Sequence, residues 1–319
     1  MNNYLTKKTG SVVNLLLINN KNMTAFMPNI FDVSLRDTIQ TELPINYTFE
    51  KKKNIYNQIM KNMFITNIEV GSIVNSKVLP IMNDSKELLY YANKVNPFGN
   101  NYLLIPNFTQ LLKIEKDILL GNVKNYSFIT SASNEFQLKN TRKTLTETYE
   151  DIHKMLSTIH YLSGRITPQI KLYISCIDEC PLTGNLDIHS IINEIKRYKD
   201  LIHNKTITNI CLSDTCGTLS SENFVKIVDL MRTTLHIPYT NMGIHLHVNM
   251  SDNMRIQEIK TILYKSFDRG IFNYDVSLIG NGGGGCSVTM QNGNKPMYPN
   301  LTYDMFIDCL EEWHQFRTE

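Results

Sequence analysis

Between residues 30 and 316 one unit recurs: a short run rich in β-branched and aromatic residues, a polar loop, then a segment of helix length. Strand-like runs fall at 31–35, 66–70, 101–105, 124–129, 170–175, 207–212, 243–247 and 274–278. Helix-length segments stand between and after them, among them 48–63, 84–95, 140–161, 187–203, 220–235, 253–268 and 302–316. Strands that alternate with helices must pair in parallel, because a helical crossover returns the chain to the same end of the sheet. Eight such units fit a closed (β/α)8 TIM barrel better than an open doubly wound sheet. An open sheet would also carry a glycine-rich phosphate turn after its first strand, and here that turn reads Arg36-Asp-Thr-Ile-Gln40. No linker interrupts residues 30–319, which are read as one barrel domain. Residues 1–29 are read as an extension, with two apolar runs around Asn19-Asn-Lys-Asn22 that suggest a hairpin.

In such a barrel the reactive groups sit at the carboxyl ends of the strands. There the sequence places Arg36, Asp37 and Gln40 after the first strand, Glu69 at the second, and Tyr173-Ile-Ser-Cys176 at the fifth. Ser213-Asp-Thr-Cys-Gly217 ends the sixth, His245-Leu-His247 the seventh, and Gly280-Asn-Gly-Gly-Gly-Gly-Cys286 follows the eighth. Side chains alternate along a strand, so His245 and His247 face one way while Ile244 and Leu246 face the other. With the Asp37 carboxylate the two imidazoles form a three-ligand set that leaves positions open for substrate oxygens. The plainer alternative is that the histidines cap a strand end. Glu69 and Asp214 have a plain alternative too, as salt-bridged or capping carboxylates.

Composition excludes several classes. The chain of 319 residues has a formal net charge of +2 and is 42% hydrophobic and 19% charged, a balance that supplies no field for nucleic acid. The first apolar run, Val12 to Ile18, is too short to span a bilayer, so no membrane partner is expected. None of the six cysteines is paired at zinc-knuckle spacing, and they read as reduced thiols in a cytoplasmic setting.

Together, Arg36-Asp37 with Gln40, Ile68-Glu69, Tyr173-Ile-Ser-Cys176 with Cys180-Pro181, Ser213-Asp-Thr with Gly217, His245 and His247, and the loop ending in Gly285-Cys286 resemble 3-hydroxy-3-methylglutaryl-CoA lyase. That enzyme belongs to a family of metal-dependent barrel lyases and synthases, and the resemblance covers about residues 30–316. It implies that Asp37, His245, His247 and Asn300 ligate Mg2+ or Mn2+, and that Arg36 holds the thioester carbonyl of an acyl-CoA substrate. It further implies that Cys286 is a mobile catalytic thiol, that Glu69, Asp214 and His245 belong to the catalytic pocket, and that the protein is a homodimer. The implied reaction cleaves 3-hydroxy-3-methylglutaryl-CoA, or a similar 3-hydroxyacyl-CoA, to acetyl-CoA and acetoacetate.

The chain departs from the family at Val248-Asn249, where the family has Asp-Thr, at Lys171, where it has arginine, and in the longer stretch from Cys286 to Asn300. It also ends with its eighth helix, where the family carries a further helical segment. These differences bear on the substrate more than on the metal. Three other readings stand beside the lyase. A Claisen-type synthase joining acetyl-CoA to a 2-keto acid would use the same ligands without needing the thiol. A catalytically weak relative would keep the barrel to bind a CoA ester. An iron-dependent oxygenase shares the two-histidine, one-carboxylate set, although its ligands are not expected from the first and seventh strands of a parallel barrel.

Overall fold

The computed structural model describes residues 26, 28–61, 65–164, 166–279 and 296–318. The hairpin expected before residue 26, the glycine-rich loop and Cys286 lie outside them. Eight parallel strands close into a barrel in chain order. They are β1 Asn29–Asp32, β2 Ile65–Ser72, β3 Asn100–Leu104, β4 Asn125–Ser131, β5 Gln169–Ser175, β6 Asn209–Ser213, β7 Met242–His245 and β8 Asn273–Val276. Closure is made by β8 against β1, in register from Asn29 opposite Asn273 to Asp32 opposite Val276. A closed sheet has no edge, so none of these eight described strands is an edge strand.

The outer helices form because apolar residues recur at helical spacing and a polar side chain caps most of their starts. In α6, Ser221–Thr233, the residues Phe224, Ile227, Val228 and Met231 are buried, and Ser220 Oγ accepts the Asn223 N–H. Helix α4, Leu145–Ser163, opens on a capping box between Thr144 and Glu147. Helix α7, Asn253–Arg269, closes on Gly270, whose φ of 71° lies in the left-handed region that favours glycine. The remaining outer helices include α1 Phe49–Met60, α2 Ser85–Val95, α3 Asn134–Thr141, α5 Ile188–Lys196 and α8 Tyr303–Thr318. Together the helices bury one continuous core between themselves and the strands.

All eight expected strands are present, with displaced ends. The first was expected over 31–35 but stops at Asp32. There the Asp32 carboxylate accepts the Ser34 N–H at 2.9 Å and the Ser34 hydroxyl at 3.0 Å, a local turn that competes with the strand ladder. The chain then makes one π-helical turn over Ser34–Thr38, with the Thr38 N–H bonded to the Val33 carbonyl at 3.3 Å. Such turns are uncommon and concentrate at functional sites. This one carries Arg36 and Asp37. The helix expected over 140–161 is two helices, α3 and α4, divided at Arg142, whose φ is 59°.

A bulge between Glu69 and Gly71 in β2 shifts its register against β3. A Cβ on Gly71 would lie 2.6 Å from the Ser85 Cβ, and the Ser85 hydroxyl both accepts the Ser72 N–H at 3.1 Å and donates to the Met82 carbonyl at 2.7 Å. Neither side can yield without breaking the contact that docks α2 on the barrel. Gly71→Ala should therefore destabilise the fold by about 1–3 kcal/mol in urea unfolding, the usual cost of overpacking. An unchanged midpoint would show that this contact is not a constraint.

Candidate metal centre and active site

Strand β7 ends at His245, and two residues on the His247 backbone forms an isolated antiparallel bridge with Asn300. The alternation expected of a strand continues through this bridge: Ile244 and Leu246 enter the core, while the two imidazoles face the mouth of the barrel. Their Nε2 atoms stand 3.3 Å apart. Each Nδ1 is engaged elsewhere, that of His245 by Asp275 Oδ2 at 2.9 Å and that of His247 by the backbone carbonyl of Asp214 at 2.8 Å. A carbonyl only accepts, so the proton of a neutral His247 lies on Nδ1 and its Nε2 presents a lone pair.

Asp37, carried in from the π-helical turn, completes the group. Its Oδ2 is 3.5 Å from the Nε2 of each histidine and has no hydrogen-bond partner. The other oxygen, Oδ1, is fully engaged by Arg36 Nη1 and by Gln40 Nε2 at 2.7 Å. Among the described residues, Asp37, His245 and His247 are the group of metal-binding side chains whose donor atoms converge, all within 4.8 Å of one another. Asn300 lies beside them: its Nδ2 donates to Thr38 Oγ1 at 2.9 Å, and its buried Oδ1 is without a partner.

Two imidazole nitrogens, a carboxylate oxygen and an amide oxygen, the last two orphaned in the protein interior, are a donor set that fits a divalent cation such as Mg2+ or Mn2+. Electrostatics agree. Burial works against the charge on Asp37, yet Arg36 and the two imidazoles hold its carboxyl well below the ordinary range. Burial also disfavours charge on His245, but Asp275 and Asp37 outweigh it and push the imidazole up to about 9, the mark of a site that attracts positive charge.

Arg36 is buried between carboxylates, with Nε on Glu69 Oε2, Nη1 on Asp37 Oδ1, and its guanidinium 5.1 Å from the centre of the Tyr173 ring. The Tyr173 hydroxyl donates to the same Glu69 oxygen at 3.3 Å. Across the lumen, Lys171 on β5 pairs with Asp275 Oδ1 on β8, and its ammonium lies 3.5 Å from the centre of the Phe31 ring and 4.4 Å from that of Tyr173. Asp214 is built in differently from its carboxylate neighbours. Its backbone carbonyl orients His247, whereas its carboxylate turns to Arg255 Nη2 at 2.6 Å and to the N–H groups of Thr218 and Leu219.

Sequence reading did not single out Asp275. The signal was an acid between Tyr274 and Val276 inside a strand that a parallel barrel buries on both faces. It also missed Ser213 as a site residue; in register with His245, this residue lines the cavity with a buried hydroxyl that has no partner. The cavity itself has a volume of about 570 Å³, within the range of small-molecule sites. Arg36, Asp37 and both histidines line it, with Leu104 and Ile129 among its apolar walls.

No protein-family model matches the chain. A mitochondrial hydroxymethylglutaryl-CoA lyase from Gallus gallus is 23% identical over 254 residues, 80% of this chain and 78% of the relative. The chain is similar to the hydroxymethylglutaryl-CoA lyases. The solved lyase of Brucella melitensis superposes with a TM-score of 0.73 at 20% identity, covering 91% of this chain and 92% of that one. The lyase of A. baumannii, solved in complex with coenzyme A and 3-methylmalate, gives 0.72 at 23% identity over 91% and 86% of the two chains. At these identities the solved lyases share the barrel with this chain.

The donor set makes a direct prediction. Mg2+ or Mn2+ should raise the melting temperature, by the equivalent of about 2.7 kcal/mol at a hundred times the dissociation constant. Asp37→Asn should abolish most of that rise. A thermal melt of the wild type that moves with neither ion would refute the metal centre.

Proposed function

We propose that this chain is a divalent-metal-dependent acyl-CoA carbon–carbon lyase. It cleaves 3-hydroxy-3-methylglutaryl-CoA, or a similar 3-hydroxyacyl-CoA, to acetyl-CoA and acetoacetate by retro-Claisen chemistry. The observation that carries this reading is the convergence of Asp37, His245 and His247 with Arg36 beside them in one cavity. Similarity to hydroxymethylglutaryl-CoA lyases, one of them solved with coenzyme A, supports the substrate class.

Asp37, His245, His247 and Asn300 would hold the cation. When bound, it supplies Lewis acidity that lowers the pKa of the substrate alcohol and neutralises its carboxylate. In the reaction the hydroxyl loses its proton, its oxygen becomes the ketone of acetoacetate, and the carbon–carbon bond gives its electron pair to the acetyl-CoA enolate. Arg36 provides fixed positive charge for the enolate oxygen. Because Glu69 and Asp37 clamp Nε and Nη1, the guanidinium is already oriented, and Nη2 is left for the thioester oxygen.

An imidazole nitrogen cannot ligate and accept a proton at once, so proton movement at His245 is confined to Nδ1, which faces Asp275. Glu69 and Asp214 act through their neighbours, the first by clamping Arg36 and the second by orienting His247. Cys286 would return a proton to the enolate carbon, a role argued from its place in the sequence. No helix of the described residues is long and apolar enough to cross a membrane. A cytoplasmic homodimer, with residues 1–29 as an extension to a catalytic domain of residues 30–319, belongs to the same proposal. Four described cysteines, Cys176, Cys180, Cys211 and Cys309, are buried and free, which agrees with a reducing compartment.

Incubation with Mg2+ and 3-hydroxy-3-methylglutaryl-CoA should yield acetyl-CoA by mass spectrometry, and its absence would sink the proposal. Cys286→Ala should lower kcat by about 10²–10⁴-fold, the usual worth of a positioned proton donor. A synthase would be indifferent to that change. Arg36→Gln should cost about 10²–10³-fold in kcat, as removal of an oxyanion donor does.

A further inference from the structure

Asn300 can serve a cation through only one of its two amide atoms. The two sides of an asparagine amide are nearly alike in shape, but the oxygen offers lone pairs where the nitrogen offers two N–H donors. Turned over, the same side chain would leave donors where the oxygen now is. In this structure Nδ2 donates to Thr38 Oγ1 at 2.9 Å, and the buried Oδ1 has no partner. The groups that fix this choice stand outside the cavity lining and outside the converging group of Asp37, His245 and His247.

A hydroxyl has one proton, so a chain of hydroxyls has a direction, and an end that can only accept sets it. The Ile279 carbonyl is such an end, and it accepts the Ser277 hydroxyl at 3.0 Å. Ser277 Oγ, its proton committed, accepts the Ile279 N–H at 3.1 Å and the Thr38 hydroxyl at 2.8 Å. Thr38 Oγ1 is then left only to accept, which admits the nitrogen of Asn300 and refuses the oxygen. Ser34 cannot reverse this order. It lies 3.3 Å from Ser277 Oγ, but its own proton goes to Asp32 Oδ2 at 3.0 Å, and that oxygen also accepts the Tyr303 hydroxyl at 2.8 Å.

The chain ties together elements that the site needs in fixed relation. Thr38 ends the π-helical turn that carries Arg36 and Asp37, Ser277 follows β8, and Tyr303 opens α8. Asp32, Ser34, Thr38 and Ser277 are each 0% exposed, so a bond lost here finds no replacement in bulk water.

We infer that Thr38 is a positioning residue for the metal centre: held as an acceptor by Ser277, its hydroxyl locks the Asn300 amide so that Oδ1 is the atom offered to the cation. The inference rests on the metal-dependent reading above and adds to it the residue that decides which atom of Asn300 the cation meets. T38V removes the hydroxyl at nearly constant shape, and T38S keeps it.

Titration of the full chain with Mn2+, with the free ion counted by electron paramagnetic resonance, measures affinity without turnover. T38V should weaken Mn2+ binding by about 10–100-fold, the usual loss when a group that orients a ligand is removed, and T38S should restore most of it. In N300D the side chain carries an oxygen on either side and has no wrong orientation, so T38V/N300D should bind Mn2+ as tightly as N300D. If T38V fails to fold, S277A tests the same link: without its acceptor the Thr38 hydroxyl can turn to Asn300 Oδ1, and Mn2+ binding should weaken by a similar factor. Unchanged affinity in the folded variant, no recovery in T38S, or an equal loss in the N300D background would overturn the positioning role and leave the metal site standing. Wild type that binds no Mn2+ would overturn the metal-dependent reading itself.

Discussion

Two imidazole nitrogens and a carboxylate oxygen that face one another at the floor of a cavity attract positive charge, whether a proton or a cation. That is the condition at Asp37 Oδ2 and the Nε2 atoms of His245 and His247, held 3.3–3.5 Å apart. The remaining atoms of all three groups are committed, Asp37 Oδ1 to Arg36 and Gln40, and the two Nδ1 atoms to Asp275 and the Asp214 carbonyl. The hydrogen bonds that keep these three groups aimed inward support the proposed cation site. Much of the barrel mouth follows from that requirement.

The charge balance around this point is consistent with it. Arg36 and Lys171 are buried cations of the lumen bonded to the carboxylates of Asp37, Glu69 and Asp275, and the remaining negative charge is what pushes the His245 imidazole up to about 9. Burying a net negative charge costs several kcal/mol per uncompensated ion, and a neighbouring carboxylate, Asp32, is driven up to about 7 by its burial. A divalent cation at the proposed site would take over the role of the His245 proton in balancing these carboxylates.

Most of the barrel was legible because its signal is periodic. A parallel strand buried on both faces must be a continuous apolar run, and a helix packed on it must show apolar residues at every third or fourth place. What periodicity does not encode is where the ladder yields to a side chain. The Asp32–Ser34 turn ended β1 early and made the π-helical turn that sets Arg36 and Asp37 side by side. The converging group of Asp37, His245 and His247 was legible because both residue types have a known metal-binding chemistry and all three follow the carboxyl ends of strands. Asp214 shows the limit of that logic. As a residue it sits where expected, yet its contribution to the site is a backbone carbonyl, which no side-chain pattern discloses, while its carboxylate caps a loop and pairs with Arg255.

Lys171 shows how a departure from the family pattern fits a local logic of its own. Asp275 has two oxygens and two clients: Oδ1 receives Lys171 and Oδ2 receives His245 Nδ1. An ammonium is a point charge and is satisfied by one oxygen, with the faces of Phe31 and Tyr173 completing its surroundings. A guanidinium presents a planar fork that engages both oxygens of a carboxylate, and in this lumen it would compete with His245 for Oδ2. Lysine at this position therefore leaves Asp275 free to orient the imidazole, and the tautomer that aims Nε2 at Asp37 depends on that freedom. Substitutions here act on the ligand geometry from across the barrel, without touching the cavity in which a substrate would lie.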